Sequence, residues 1–171
     1  LQYIGFAFTT VSDISALRHL HKLSALPSAD NTPVWDYTPL TPVLEDIIEN
    51  RKKDNKEAGE QWLSDMEKDI RDIHEKNLQA GQFIKQTLTE IILPTMTALE
   101  KEVAVFNFVV NHMAYEYGGY DGYSNSELYN IFMNKKGICH QYATAFSVLC
   151  NAAGVDCFFV RGMAGGEDHV W

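Results

Sequence analysis

The sequence has little cysteine, with three in 171 residues. Cys139, Cys150 and Cys157 form an odd set without pairs at short spacing, so neither a disulfide framework nor a zinc knuckle is indicated. Free cysteines of this kind usually pack as small hydrophobic side chains. We predict that packing role for Cys150 and Cys157.

Basic residues are also scarce, with 14 Lys and Arg against 23 Asp and Glu and a net charge of −9. Nucleic-acid binding requires clustered basic residues that meet phosphates, so the charge argues against it. The charge also argues against an anionic membrane surface. No apolar run reaches the roughly 18 residues that a membrane span requires, so no span is predicted. The composition, 46% hydrophobic and 22% charged, is that of an ordinary globular protein.

Residues 1–43 are predicted to be an irregular N-terminal segment or linker. The chain starts at Leu1 without a methionine or a signal-peptide pattern, which we interpret as a processed or excised start. Tyr3–Phe8 could form a strand, and Ser12–Leu23 shows the spacing of a short helix. The prolines from Pro27 onward predict a loop.

Residues 44–93 are predicted to form a helical arm, because apolar residues recur there at steps of three and four. Arg51–Glu60 is almost wholly polar, so this part should stand in solvent. We expect a break at Gly81 and the end of the arm at Pro94. The arm is interpreted as a supporting structure, and its Lys/Glu run as a solvated face.

Residues 94–171 form the third predicted region, which opens with a helix. Thr97 and Glu100 have the spacing of a capping box, in which each side chain meets the other residue's amide. The apolar spacing of this helix predicts one buried stripe. Its members are Leu99, Val103, Phe106, Val110 and Met113.

A second helix is predicted up to about Asn134. Ser124 and Glu127 would form its capping box. Lys135 to Gly137 would close it, since cations and then a glycine favour a helix C-terminus. Between the two helices lies a loop, Tyr115–Tyr123, with four tyrosines and three glycines.

A third helix is predicted to start at Cys139, which falls on the first turn of its buried stripe. A polar face would carry His140, Thr144, Ser147 and Asn151. A helix N-terminus carries about half a positive charge, which favours a thiolate over a thiol. The amides there can also hold an oxyanion. Gly137 would allow a tight turn and the approach of a substrate chain.

Beyond Gly154 the pattern predicts a strand over Val155–Gly162, a turn at 165–168 and a returning strand from His169. Strand alternation places His169 and Trp171 on one face. A thiol at a helix start beside an imidazole on a strand is the arrangement of Cys–His acyl-transfer enzymes.

These residues resemble the core of the transglutaminase-like superfamily, including its bacterial members. The resemblance covers roughly residues 88–171. Upstream it includes Met96-Thr97, Glu100-Lys101 and Tyr115-Glu116. Its centre runs from Gly137 through Cys139, His140, Gln141 and Tyr142 to Ala143, followed by Phe146, Leu149, Gly154, Val160, Gly162 and His169-Val170-Trp171. Gln141 departs from the pattern, because glycine often stands at this position.

The resemblance implies an α+β, papain-like fold in which a nucleophile helix packs on an antiparallel sheet, preceded here by a mostly helical N-terminal region. It implies cysteine-dependent acyl transfer on protein or peptide amides, as a protease, amidase or transglutaminase. Cys139 would form the thioester and His169 would be the general base. The family's third residue, an Asp on the following strand, would come after Trp171, and Asp168 should point away from His169. We therefore expect a sheet that is incomplete at the C-terminus, either because the chain is a fragment or because a further segment completes the domain.

The resemblance also suggests secondary site residues. Tyr115, Gln141, Tyr142 and Trp171 are candidates for substrate or oxyanion contacts, with Trp171 also shielding the imidazole. The tyrosine loop could form a wall of the cleft, since tyrosine combines an apolar body with a hydrogen-bonding tip. The implied partner is a protein or peptide substrate, and the implied location is extracellular or at the cell surface.

Two other hypotheses stay open. One is a catalytically weak or inactive transglutaminase-like module that serves binding or scaffolding. The other is a redox or metal protein that uses Cys139, His140 and His169. No metal site or cofactor is predicted, because His19 and His21 lack a third ligand in reach.

Overall fold

The computed structural model describes residues 3–4, 11, 13–26, 34–116 and 127–171. Over these residues the protein has an α+β fold in which helices dominate, as the sequence predicts, and its strands form small two-stranded sheets. The helices are α1 Leu44–Asp54, α2 Glu60–Ile91, α3 Ala98–His112, α4 Glu127–Asn134 and α5 Cys139–Ala152. The strands are β1 Ala114–Tyr115, β2 Lys136–Gly137, β3 Arg161–Ala164 and β4 Glu167–Val170.

The N-terminal region has a small core of its own. Two short 3-10 helices, Ser15–His19 and Thr38–Val43, pack with α1 around buried apolar side chains. The expected helix over Ser12–Leu23 is thus reduced to one 3-10 turn. The predicted proline loop is wrong for Thr38–Val43, because Pro39 fits the first turn of a helix and this short helix buries Leu40 and Val43. The strand predicted at Tyr3–Phe8 lies largely outside the described residues.

The helical arm is interrupted at residues 55–59, between α1 and α2, and not at Gly81 as predicted. Helix α2 passes through Gly81 without a break. A Cβ added at Gly81 would lie 2.9 Å from the carbonyl oxygen of Trp35. The missing side chain of Gly81 therefore allows the backbone of the N-terminal region to pack closely against α2. Helix α2 ends at Ile91, ahead of Pro94, as expected.

Helix α3 confirms the first capping box. The Thr97 amide donates to Glu100 Oε2 at 2.7 Å, and the Glu100 amide donates to Thr97 Oγ1 at 3.3 Å.

The predicted buried stripe of α3 is wrong except at Met113. Leu99, Val103, Phe106 and Val110 are 43–67% exposed, whereas Val105 and Val109 are buried. The helix has apolar residues on two adjoining faces, so its spacing alone does not identify the buried one. Packing against α2 and α5 selects the face of Val105 and Val109.

Two short parallel strands join the end of α3 to the start of α5. Ala114 pairs with Lys136 and Tyr115 with Gly137. Helix α4 ends at Asn134 as predicted, but the left-handed residue after it is Lys135, at φ +57°. The capping box predicted for α4 includes Ser124, which lies outside the described residues.

The last two strands form an antiparallel hairpin. Gly165 and Gly166 both have positive φ, as a two-residue hairpin turn requires. The predicted four-residue turn is therefore too long, and Glu167 already belongs to β4. Of the strand predicted at Val155–Gly162, only the last two residues lie in β3. No described helix has both the length and the apolar character needed to cross a membrane.

Candidate active site

The start of helix α5 is fixed by the side chain of Gln141. The Ile138 amide donates to Gln141 Oε1 at 3.1 Å. A Cβ added at Gly137 would lie 2.5 Å from Gln141 Cβ, so the capping side chain occupies the space beside this glycine. Gly137 therefore makes room for the cap, and Cys139 begins the helix half-buried.

Tyr142 and Tyr115 pack beneath this helix start. The Tyr142 hydroxyl donates to the carbonyl oxygen of Met113 at 2.7 Å, and the two tyrosine rings lie 5.7 Å apart. Burial, with a contribution from Tyr115, raises the pKa of the Tyr142 phenol. The contacts of these tyrosines tie α5 to the end of α3. The loop residues after Glu116, up to residue 126, lie outside the described residues.

The polar face predicted for α5 is present but not exposed, because the chain folds back over it. Asn151 Nδ2 donates to the carbonyl oxygen of Cys157 at 3.2 Å. At the other end of α5, the His140 ring stacks on Phe159 with centroids 6.5 Å apart. The segment after Gly154 therefore runs antiparallel to α5 and returns to its N-terminus.

Simple lengths explain why this return reaches Cys139. A helix of 14 residues is about 21 Å long, and about seven extended residues cover the same distance. Residues 155–160 supply nearly that length before β3 begins. The hairpin is thus delivered beside the helix start, with His169 on its second strand.

A cavity of about 510 Å³ forms where the hairpin meets α5. Cys139 and His169, the two principal residues of the predicted site, both line it. The other lining residues are Ile138, His140, Arg161, Gly162, Met163, Asp168 and Val170. The volume is that of an ordinary ligand pocket. The substrate candidates Tyr115, Gln141, Tyr142 and Trp171 are not among the lining residues, and their substrate roles stay predictions.

His169 is covered on one side by Trp171, as expected. The two rings lie 4.7 Å apart at 54°. Gly162 is the cross-strand partner of His169, and a Cβ there would lie 3.2 Å from the Trp171 ring. The absence of a side chain at Gly162 therefore leaves space for the indole beside the imidazole.

Sequence reasoning missed several residues that line the cavity. Arg161 and Met163 pair across the hairpin with Val170 and Asp168, so the register brings all four beside His169. Asp168 was expected to point away from His169, yet it also lines the cavity. The usable signal was the double glycine at the turn, because a two-residue turn fixes every cross-strand pair.

The sequence profile of the transglutaminase-like superfamily matches residues 85–171. This range contains α3, α4, α5 and both strands of the hairpin, and thus every residue that lines the cavity. No curated protein and no solved structure matches the chain. The profile covers half of the chain, and the protein therefore belongs to the transglutaminase-like superfamily.

Proposed function

We propose that this protein is a cysteine-dependent acyltransferase or hydrolase that acts on protein or peptide amides. One observation carries the proposal: Cys139, at the N-terminus of α5, and His169, on β4, line the same cavity. A nucleophile and a base that reach one cavity from a helix end and a strand are the elements that thiol acyl transfer requires.

The proposed reaction begins when His169 accepts the proton of the Cys139 thiol. The sulfur then attacks the amide carbonyl, and the resulting oxyanion lies at the first turn of α5. Amides of a first helical turn have no acceptor within the helix, and the helix dipole adds positive potential there. Both effects stabilise negative charge on the oxygen.

The imidazolium next protonates the leaving amine, the C–N bond breaks, and a thioester remains on Cys139. Water or a second amine attacks the thioester, and His169 accepts the proton of that nucleophile. The thiol then leaves with this proton. Water completes hydrolysis, and an amine completes transamidation, so one site supports both outcomes.

The test compares wild type, Cys139→Ala and Cys150→Ala. Each protein receives glutamine-containing peptides and a fluorescent primary amine, and mass spectrometry follows ammonia release, amine incorporation and peptide cleavage. We expect Cys139→Ala to lose turnover by about 10³-fold or more, because no other step replaces the covalent intermediate. Cys150→Ala removes the same thiol group from the same helix away from the cavity, so it should retain turnover.

A second measurement does not depend on the choice of substrate. Iodoacetamide should alkylate Cys139 in wild type faster than in His169→Gln, because the imidazole acts as the base for this thiol. Equal Cys139 alkylation in the two proteins, or full turnover by Cys139→Ala, would contradict the proposal. Either result would favour a binding or scaffold module that retains the fold without the chemistry.

A further inference from the structure

The two remaining cysteines meet at the C-terminal end of α5. Gly154, at φ +77°, reverses the chain directly after the helix. The Val155 amide then donates to the carbonyl oxygen of Cys150 at 2.9 Å. Together with the bond from Asn151 to the carbonyl of Cys157, this turn places Cys157 beside the last turn of α5.

The side chain of Cys157 packs against the apolar core cluster that contains Cys150. Its sulfur interacts with the Cys150 thiol, the Ser147 hydroxyl and the Phe158 amide. Cys150 is 1% exposed, whereas Cys157 is half-buried. The prediction that both cysteines pack as small hydrophobic side chains is confirmed, since Cys150 belongs to the apolar core and Cys157 packs against it.

These contacts separate the acidities of the two thiols. The bond from Cys150, followed by that from Ser147, lowers the pKa of Cys157 to about 7. The same contact and burial raise the pKa of Cys150. The negative charge of Glu102, on α3, opposes ionisation of each thiol. The half-buried sulfur is thus the better nucleophile, and a protected thiol lies beside it.

We propose that Cys150 and Cys157 form an oxidisable pair that closes to an intramolecular disulfide when the protein meets a hydroperoxide. The Cys157 thiolate attacks one peroxide oxygen, the O–O bond breaks, and hydroxide leaves and takes a proton from solvent to become water. Cys157 becomes a sulfenic acid. The Cys150 sulfur then attacks the sulfenic sulfur, and the S–O bond breaks. The oxygen leaves as a second water with the proton of Cys150. Two thiols thus supply the two electrons that reduce one hydroperoxide.

The pair is separate from the proposed catalytic cysteine. Cys150 follows Cys139 by eleven positions, which is about 16 Å along a helix. The disulfide would close a ring of eight residues around Gly154, at the start of the segment that leads to β3. Oxidation would therefore fix the reversal that delivers the hairpin to the cavity. The proposal does not depend on the proposed function, because it makes no use of Cys139 or His169.

The experiment treats Cys139→Ala with one equivalent of hydrogen peroxide at neutral pH, so that only the pair can react. We expect a loss of two hydrogens in the intact mass and a disulfide-linked peptide that contains Cys150 and Cys157. The oxidised protein should unfold about 5–10 °C higher than the reduced protein, because a ring of this size restricts the unfolded chain.

The matched control is Cys139→Ala with Cys150→Ala, in which Cys157 has no partner. A sulfenic-acid trap such as dimedone should then label Cys157, and excess peroxide should drive it to the sulfinic acid. Two results obtained with both cysteines present would overturn the proposal. One is sulfinic acid at Cys157 while Cys150 stays reduced. The other is two thiols that remain reduced until the protein is unfolded.

Discussion

Helix α5 carries a cysteine near each end, and the two cysteines differ in burial and in their neighbouring residues. At the N-terminal end, Cys139 is half-buried and lines a cavity with His169. At the C-terminal end, Cys150 lies in the core, and its thiol interacts noncovalently with the sulfur of Cys157. Lys101 also contacts this end, because its ammonium donates to the carbonyl oxygen of Ala153 at 2.9 Å.

The comparison shows that the two ends of one helix give their cysteines different surroundings. First-turn amides and the positive end of the dipole face the cavity at Cys139, where an anion can form. The other end has carbonyl groups and a packed chain reversal, so we propose that the thiol there reacts with its neighbour. Four experiments test this contrast.

The largest effect is expected from His169→Gln. The substitution removes the proposed base from the cavity that Cys139 lines, and general acid–base catalysis is worth about 10²–10⁴-fold. The turnover assay with the glutamine peptide measures kcat/KM, and disulfide formation at Cys157 should be unaffected. His19→Gln is the matched control, because His19 is exposed and lies in the N-terminal region. Equal losses of kcat/KM in the two histidine variants would contradict a specific role of His169 at the N-terminal end of α5.

The next effect is expected from Gly137→Ala, which should disturb only the N-terminal end. The new methyl group would collide with Gln141 Cβ at 2.5 Å and displace the cap. Overpacking of this kind costs about 1–3 kcal/mol of the free energy of unfolding, which urea denaturation measures. Gly59→Ala is the control, since a Cβ there has no neighbour within 4 Å. If Gly137→Ala is as stable as the control, Gln141 does not require this glycine.

A smaller effect concerns the C-terminal end alone. The rate of Cys157 alkylation should rise with pH around a midpoint near 7, because the bond from Cys150 lowers the pKa of Cys157 to about 7. In Cys150→Ala the midpoint should move upward, so alkylation at pH 7 should slow several-fold, as thiolate fractions predict. Peptide mass spectrometry resolves each cysteine separately. An unchanged midpoint would show that Cys150 does not set the acidity of its neighbour.

The smallest effect is a loss of folding stability in acid, which limits the pH range over which the two ends of α5 can be compared. His74, on α2, is buried, and its Nε2 lies 3.1 Å from Thr41 Oγ1. Burial lowers the pKa of His74 below its usual 6.5. As the pH falls, the unfolded chain therefore binds a proton at His74 before the folded chain does. The contribution of neutral His74 to stability is complete above pH 6.5 and is lost as the pH falls below that value.

Urea denaturation between pH 7.5 and 5 measures this loss. His74→Gln should show a flatter profile across that range, because glutamine does not titrate. A profile as steep as that of wild type would assign the acid sensitivity to another group.

Local sequence signals predicted where α3 and α5 begin but not what surrounds these helices. The capping box at Thr97 and the helix start at Cys139 follow from short-range hydrogen bonding, and both are present. The break expected at Gly81 is absent, because contact with Trp35 outweighs the low helix propensity of glycine. On α3, spacing identified apolar residues but not the buried face, which depends on neighbouring helices.

The amino-acid sequence is sufficient to identify the residue that begins α5 and the superfamily to which the chain belongs. These properties depend on contacts between near neighbours and on motif spacing. Only the tertiary structure decided that the chain folds back along α5. This return places His169 in the cavity of Cys139 at the N-terminal end of the helix. At the C-terminal end it brings Cys157 to Cys150. The physical reason is that both pairs are made by the packing of one segment against another.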